Sequence, residues 1–399
     1  MWEAAFMAVL EATRFLIRSD QKSSNNPVGA SGRLAHPLFW LAVVLVTGGC
    51  TTTHPPAEKS RTEKAYRWLC AQQGPHGILG NQDGESFAGL YPNAMAAMIF
   101  LERGDGARCE RVLDFFLAKR KELKTTPGGF HQFYDAKTGE TLRDSDRWMG
   151  DNCWLLIALN HYAARTKSDR YRALADDIAD WLVSLQDGDG GIWAGHNKSG
   201  FMRHKSTEGN LDAFAALPSR PQAREKVGRW LWTQMWIEKE GRFCMGSTSD
   251  APALDTSAWG VLALGCEGWP AMTFANKNLR RMKMMFANGA LVDGYADFAD
   301  KDRIWLEGTG EMACAYRVCD GTVQGKHLIR ELEKAMVPSQ TTPGTLTIPC
   351  FTNDPAWDGG DTKGFVPSVC WYLFAQRKFN PMHVEEIRNP KSEIRNHIK

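Results

Sequence analysis

Hydrophobic positions along this chain fall into two alternating kinds of segment. In Ser168 to Gln186, the residues Tyr171, Leu174, Ala175, Ile178, Leu182 and Leu185 recur at helical spacing, with Arg172, Asp176, Asp177 and Asp180 on much of the other side. That pattern predicts a helix with one dry face and one wet face. In Asp151 to Tyr162, the run Cys153 to Leu159 is apolar all round, as in a helix buried on every side. The amphipathic kind recurs at Arg61–Gln73, Ala107–Lys121, Ser168–Gln186, Pro221–Glu238, Pro270–Ala287 and Val323–Met336. The apolar kind recurs in six stretches that begin at Leu90, Asp151, Glu208, Asp255, Glu307 and Pro367. The two kinds take turns strictly, about 50 to 60 residues per pair, the length of one helical hairpin and a loop.

A ring of buried helices wrapped by a ring of amphipathic ones is the simplest packing of that alternation. The fold class it predicts is all-α, an (α/α)6 toroid. Long Gly-rich loops, such as Asp187 to Thr207 and Gln340 to Val366, lead into the apolar helices, while connections at their other ends are short, as at Gly104 to Gly106. Loops of that length in a compact domain are usually functional. They would gather on one elaborated rim. Four of the six apolar stretches open there with a carboxylate, so the acids share one mouth.

The ends of the chain read differently. Arg33 and His36 precede an apolar run, Pro37 to Val46, followed by Thr47-Gly48-Gly49-Cys50. A basic flank, a short apolar core and small residues before a cysteine form a signal-peptide pattern, similar to a bacterial lipoprotein signal with Cys50 as the lipidated residue. Thr51 to Lys59 reads as a polar tether. Residues 1–59 are therefore expected to be an upstream segment, signal region and tether, 60–382 the toroid, and 383–399 a disordered charged tail. The polar stretch Ser19 to Asn26 ahead of the signal leaves the translational start open. The expected location is the bacterial cell envelope, with the membrane touched only through a lipid anchor.

Composition narrows this picture little. A net charge of +2 gives no sign of a nucleic-acid partner, and oligomeric state is not legible. The ten cysteines include no CxxC or metal-ligand spacing. Those inside apolar runs, Cys153, Cys314 and Cys370, read as buried thiols. Asp354, Asp358 and Asp361 crowd the last long loop without the spacing of a calcium loop. No metal and no cofactor are expected.

The pieces GDNCWLLIALNHY (Gly150 to Tyr162), STEGNLDAF (Ser206 to Phe214) and WLEGTGEMACAY (Trp305 to Tyr316), set in this architecture, resemble the six-hairpin glycosidase superfamily. The resemblance spans nearly all of 60–382 and implies a carbohydrate substrate and, for most members, hydrolysis. Glycoside hydrolysis needs two carboxyl groups flanking the bond, one to protonate the leaving oxygen and one to activate water or attack the sugar. The catalytic candidates are Glu307, Asp151, Glu208, Asp255 and Glu311. Asp151 and Asp255 also suit N-caps, and Glu307 suits a helix dipole. Counting around a six-membered ring places Asp151 opposite Glu307, and these two are expected to be the acid and the base. Glu311 lies one turn below Glu307, where like charges repel and one group holds its proton. Trp148, Trp193, Asp212, Trp259, Trp305 and Trp357 are the substrate-binding candidates, and Trp154 is expected in the core.

Three other readings compete. A non-catalytic glycan-binding lipoprotein would keep the tryptophans without an acid pair. A sugar epimerase on the same toroid commonly uses histidine, but His131 and His204 lie in loops. A terpene-cyclase-like toroid is suggested by SLQDGDGGIW (Ser184 to Trp193), which resembles that group's Gln-to-Trp motif; it would need a repeated motif or an apolar cavity, and the chain shows one good copy.

Overall fold

The computed structural model describes residues 56–353 and 362–384. Cys50, the segment around it, Trp357, the acidic cluster of the last loop and the tail from residue 385 lie outside the described residues. Among the described residues twelve α-helices follow one another: α1 Pro56–Ala71, α2 Leu90–Glu102, α3 Gly106–Ala118, α4 Met149–Thr166, α5 Arg172–Ser184, α6 Thr207–Ala216, α7 Pro221–Trp230, α8 Leu254–Leu264, α9 Trp269–Asn278, α10 Leu306–Val318, α11 Thr322–Lys334 and α12 Val366–Arg377. Even-numbered helices pack side by side in chain order, and α12 meets α2 to close the ring. Each odd-numbered helix lies outside the inner helix that precedes it, and α1 covers α12. The architecture is the (α/α)6 toroid.

Burial follows the sequence pattern. In α12 every residue from Val366 to Ala375 is buried. In α5 only Leu174, Ile178, Ala179, Trp181 and Leu182 are. An inner helix has protein on both flanks and beneath it, whereas an outer helix has water on one face.

The inner helices share a backbone device. Their first N–H groups have no partner within the helix, and each donates to a carbonyl in the loop before the next inner helix. Leu90 N–H reaches Gln132 O at 2.8 Å, Met149 reaches Ala194 at 2.9 Å, Thr207 reaches Met245 at 3.0 Å, Leu254 reaches Asp297 at 3.1 Å, Leu306 reaches Cys350 at 2.8 Å and Val366 reaches Asn81 at 2.9 Å. The belt runs once round the ring and closes. It relieves the acids of capping duty: only Ser206, ahead of α6, caps an inner helix with its own side chain. The expectation that Asp151 and Asp255 are N-caps is not met. The helices begin earlier, at Met149 and Leu254, and are preceded by Trp148 and Ala253.

A second repeat supports the loops. Gln186 Nε2 donates to Gly190 O (2.8 Å) and Ala223 O (2.9 Å), and Gln73 Nε2 does the same to Gly77 O (2.8 Å) and Arg108 O (3.0 Å). Gly77 and Gly190 both take positive φ, 91° and 100°, which a side chain would strain. Asn93, Asn152 and Asn210, each four residues into an inner helix, then clamp the backbone of Leu79, Phe130 and Ile192. The Gln-to-Trp stretch therefore has a second copy in QGPHGIL (Gln73–Leu79), and its job is to fix a loop to a helix.

Two helical expectations fail at their ends. Pro270–Ala287 does not continue as one helix: α9 stops at Asn278, and Arg280–Met284 pairs antiparallel with Leu291–Tyr295. Exposed Arg280, Met282 and Met284 alternate with half-buried Arg281 and Lys283, a period of two, and Asn288-Gly289 supplies the turn, Gly289 at φ 69°. Met282, Met284, Phe286 and Leu291 are left exposed. Likewise the Pro221–Glu238 helix ends at Trp230 and unwinds through Leu231–Met235 into a short strand, where Trp232, Trp236 and Phe243 pack as a cluster. On the plain rim Cys266 and Cys319 form a disulfide, which cysteine spacing did not reveal; Cys153, Cys314 and Cys370 are buried thiols as expected.

Candidate active site

All six inner helices present their N-termini to one rim, and in four of them the second residue carries a polar side chain to the mouth. That residue is Tyr91 in α2, Glu208 in α6, Asp255 in α8 and Glu307 in α10. In α4 the second residue is Gly150, and Asp151 follows it. A Cβ on Gly150 would stand 2.6 Å from Trp148 Nε1 and 3.0 Å from Asp212 Oδ2, so the close packing there requires glycine.

Tyr91 links the two sides of the mouth. Its N–H donates to Asp151 Oδ1 at 3.2 Å, and its hydroxyl donates to Glu307 Oε1 at 2.9 Å while accepting from Trp371 Nε1 at 2.8 Å. Asp151 Oδ2 accepts from Gln132 Nε2 at 2.7 Å, so both oxygens of Asp151 are engaged by neighbouring elements. Glu208 and Asp255 are more open: each keeps part of its surface in solvent, whereas Asp151 is 6 % and Glu307 4 % exposed. Asp255 Oδ1 accepts from Thr256 N–H at 2.5 Å.

One turn deeper lies a dry tier. Around the ring it runs Trp154 (α4), Asp212 (α6), Trp259 (α8), Glu311 (α10) and Trp371 (α12), so indoles and carboxyls alternate. The indoles contact one another and Tyr91: Trp154 to Trp259 at 5.4 Å, Trp154 to Trp371 at 5.8 Å and Tyr91 to Trp154 at 5.0 Å between ring centres. Asp212 is 1 % and Glu311 0 % exposed. The N–H groups of Trp154 and Trp259 are turned toward Asp212 and Glu311, yet neither pair reaches hydrogen-bond geometry, and both oxygens of Glu311 stay without a partner.

Burial controls the protons of this cluster. It pushes Asp151 up to about 6, against the hydrogen bonds from Gln132 and Tyr91. Asp255 rises to about 6 and Glu307 to about 8 for the same reason, Glu307 against Tyr91 and with the charge of Asp255 adding to the rise. Glu208, Asp212 and Glu311 are raised well above the usual carboxylate range, first by burial and then by neighbouring carboxylates: Asp255 for Glu208, Glu208 for Asp212 and Glu307 for Glu311. At neutral pH the mouth thus holds ionised and protonated carboxyls side by side, the arrangement acid–base chemistry uses.

The fold compares directly with solved structures. A glycosidase variant in complex with glucose superposes with a TM-score of 0.57 at 13% identity, covering 83% of this chain and 99% of that one. The chain shares the (α/α)6 toroid fold of that glycosidase. An α-amylase from Clostridium perfringens gives 0.59 at 11% identity, covering 82% of this chain and 99% of the other. Cellobiose 2-epimerase from Bacillus thermoamylovorans gives 0.58 at 10%, covering 80% and 98%. No family model matches the chain, and no curated protein matches it in sequence.

On this toroid the five acids expected to be catalytic do converge, together with Asp212, though Glu311 and Asp212 sit below the open mouth. The tryptophans divide. Trp259 belongs to the buried tier, so it offers no face to a ligand. Trp148 is buried and stacks on His204, ring centres 5.9 Å apart. Trp193 is half-buried beneath the Lys205 ammonium, 4.2 Å from its ring centre. Trp305 is partly exposed, two residues before Glu307. Trp154 is in the core as expected. Tyr91, Gln132 and Trp371 were missed. Aligning the starts of the inner helices would have found Tyr91, because it occupies the slot of Glu208, Asp255 and Glu307.

Proposed function

We propose that this chain is a carbohydrate-active enzyme, a glycoside hydrolase that cleaves an oligo- or polysaccharide with the carboxyl groups of the mouth. The observation that carries the reading is the pair Glu208 and Asp255, on neighbouring helices, each keeping part of its surface in solvent where Asp151 and Glu307 are buried. Glu208, raised well above the usual carboxylate range by burial and by the charge of Asp255, is the proton donor to the leaving oxygen. Asp255, ionised above about 6, is the base or nucleophile. Glu307 holds a proton to about 8 and, fixed by Tyr91, is the second donor candidate. Asp151, opposite Glu307 in the ring, was the other acid expected in the working pair. Its two oxygens are both committed to Tyr91 and Gln132, which favours a positioning role.

Two observations weigh against the rivals. A terpene-cyclase-like reading gains a second Gln loop but meets an acid-lined mouth where an apolar cavity is needed. For an epimerase, His204 stacks on Trp148 in the loop and its Nε2 is enclosed without a partner, held away from a ligand. The test is hydrolysis of malto- and cello-oligosaccharides, read as new reducing ends, by the parent, Glu208→Gln and Asp255→Asn. Cleavage by the parent that both variants retain in full removes these roles. Glycan binding with no cleavage leaves the binding-protein reading.

A further inference from the structure

Two aromatic side chains on the rim have no part in the chemistry above. Phe87 is 40% exposed, uncommon for a residue of its size in this molecule. It opens the strand Phe87–Gly89, which runs straight into α2 and Tyr91. The partner strand, Phe133–Asp135, continues from Gln132, the residue that holds Asp151. This short ribbon is therefore joined by the chain, at both strands, to groups of the mouth.

Strand alternation sorts its faces. Ala88 and Tyr134 are opposite one another and fully buried, and Tyr134 packs on Phe115 and Phe116 of α3. Phe87 and Phe133 stand on the other face. Their ring centres are 4.4 Å apart with planes inclined at 34°, and Gly89, which pairs with Phe133, adds no side chain to cover them. The ribbon is also stiff. Ser86 Oγ donates to Asp135 Oδ2 at 2.8 Å, Asp135 Oδ1 accepts from the N–H groups of Lys137 and Thr138 at 2.8 Å, and Gly89 N–H donates to Asn81 Oδ1 at 2.6 Å. An exposed, preorganised aromatic pair beside a wet cleft suits a ligand with one apolar face and polar edges, because the rings bury the apolar face while the edges stay hydrated. A pyranose ring has that form.

We propose that Phe87 and Phe133 form a distal subsite that stacks on a pyranose ring of the substrate, beyond the bond that is cut and on the Asp151 side of the mouth. The inference rests on the glycoside hydrolase reading and narrows it: the preferred substrate is a chain of several sugars, longer than a disaccharide.

The experiment compares two- and six-unit malto- and cello-oligosaccharides as probes, with the parent, Phe87→Ala, Phe133→Ala and Phe87→Trp. In the series that the parent cleaves, kcat/KM for the hexamer is expected to fall about tenfold in each Ala variant, mostly through KM. The dimer should be unchanged within about twofold, and Phe87→Trp should keep the hexamer preference. Melting temperatures equal to the parent's show that the variants fold. An equal loss on both lengths, or no loss, overturns the subsite and leaves the hydrolase standing. If the parent cleaves neither series but binds the hexamer, and Phe87→Ala abolishes that binding, the subsite stands and the hydrolase reading falls. If nothing is bound or cleaved, both fall.

Discussion

Glu208 and Asp212 are one helical turn apart on α6, and Glu307 and Glu311 are one turn apart on α10, yet the members of each pair live in different media. Glu208 meets solvent, and Glu307 is fixed by a tyrosine hydroxyl. Asp212 and Glu311 sit in a ring of indoles, out of contact with water and short of hydrogen bonds. The same residue type thus has two jobs, set by about 5.4 Å of depth along a helix. An open acid can exchange a proton with a ligand. A dry acid can only keep its proton, and by staying neutral it spares the mouth a further negative charge.

The largest effect that separates the tiers is catalytic. Glu208→Gln and Asp255→Asn should each lower kcat by about 10² to 10⁴, with little change in melting temperature, since each swap keeps a polar group in a first helical turn. Asp151→Asn is expected to lose stability more than rate, because an amide nitrogen facing Gln132 Nε2 breaks one of two buried hydrogen bonds. A rate loss for Asp151→Asn equal to that of Glu208→Gln would return Asp151 to the working pair.

The pH profile of kcat/KM tests the same contrast. Asp255 must be ionised and Glu208 must keep its proton. Activity should therefore rise through about 6 and fall at higher pH, well above the ordinary carboxylate range, as Glu208 ionises. In Asp255→Asn the residual activity should lose the acidic limb; if that limb persists unchanged, it belongs to another group, with Asp151 first in line at about 6.

The lower tier is tested by removing its carboxyl. Glu311→Met keeps the volume and discards two buried, unpartnered oxygens, so unfolding by denaturant should show a gain of about 1 to 3 kcal/mol. Activity should stay near the parent's. A loss on the scale of Glu208→Gln would place Glu311 in the chemistry and erase the distinction between the tiers.

The smallest effect is the pH dependence of stability. Asp255 is raised in the folded chain from an ordinary 3.8 to about 6, so its stabilising proton is fully present below 3.8 and lost as pH rises through 6. Buried His161 and half-buried His204, both lowered to about 4, act in the opposite direction over part of that range. They are common to parent and variant, so the difference isolates the carboxyl. Between pH 5 and 7 the parent should lose stability relative to Asp255→Asn; a flat difference would mean that Asp255 is solvated like an exposed acid.

Much of this molecule was legible along the chain, for identifiable reasons. The alternation of all-round apolar and one-faced helices is a direct imprint of how many sides of each helix meet protein, so twelve helices and their two rings could be read off. The acids at the starts of the inner helices stood out because a carboxylate before an apolar run is locally unusual. The failures lie where a distant partner outweighs local pattern. Arg280–Met284 became a strand because Leu291–Tyr295 was there to pair with it. Asp151 and Asp255 looked like caps, but a carbonyl from the next hairpin took the capping bond. Trp259 looked like a platform and is part of the buried tier.

What the sequence determined by itself is therefore the periodic part: helix count, inner and outer roles, and the rim to which the acids belong. Periodicity is a local property, repeated every few residues and insensitive to what lies across the ring. The tertiary structure alone decided depth and partnership: which acid is wet and which dry, that Tyr91 joins Asp151 to Glu307, itself 216 residues from Tyr91 along the chain, and that the belt of backbone bonds closes on itself. Those depend on distances between segments remote in sequence, and a carboxyl's charge follows from that surrounding medium and not from its neighbours along the chain.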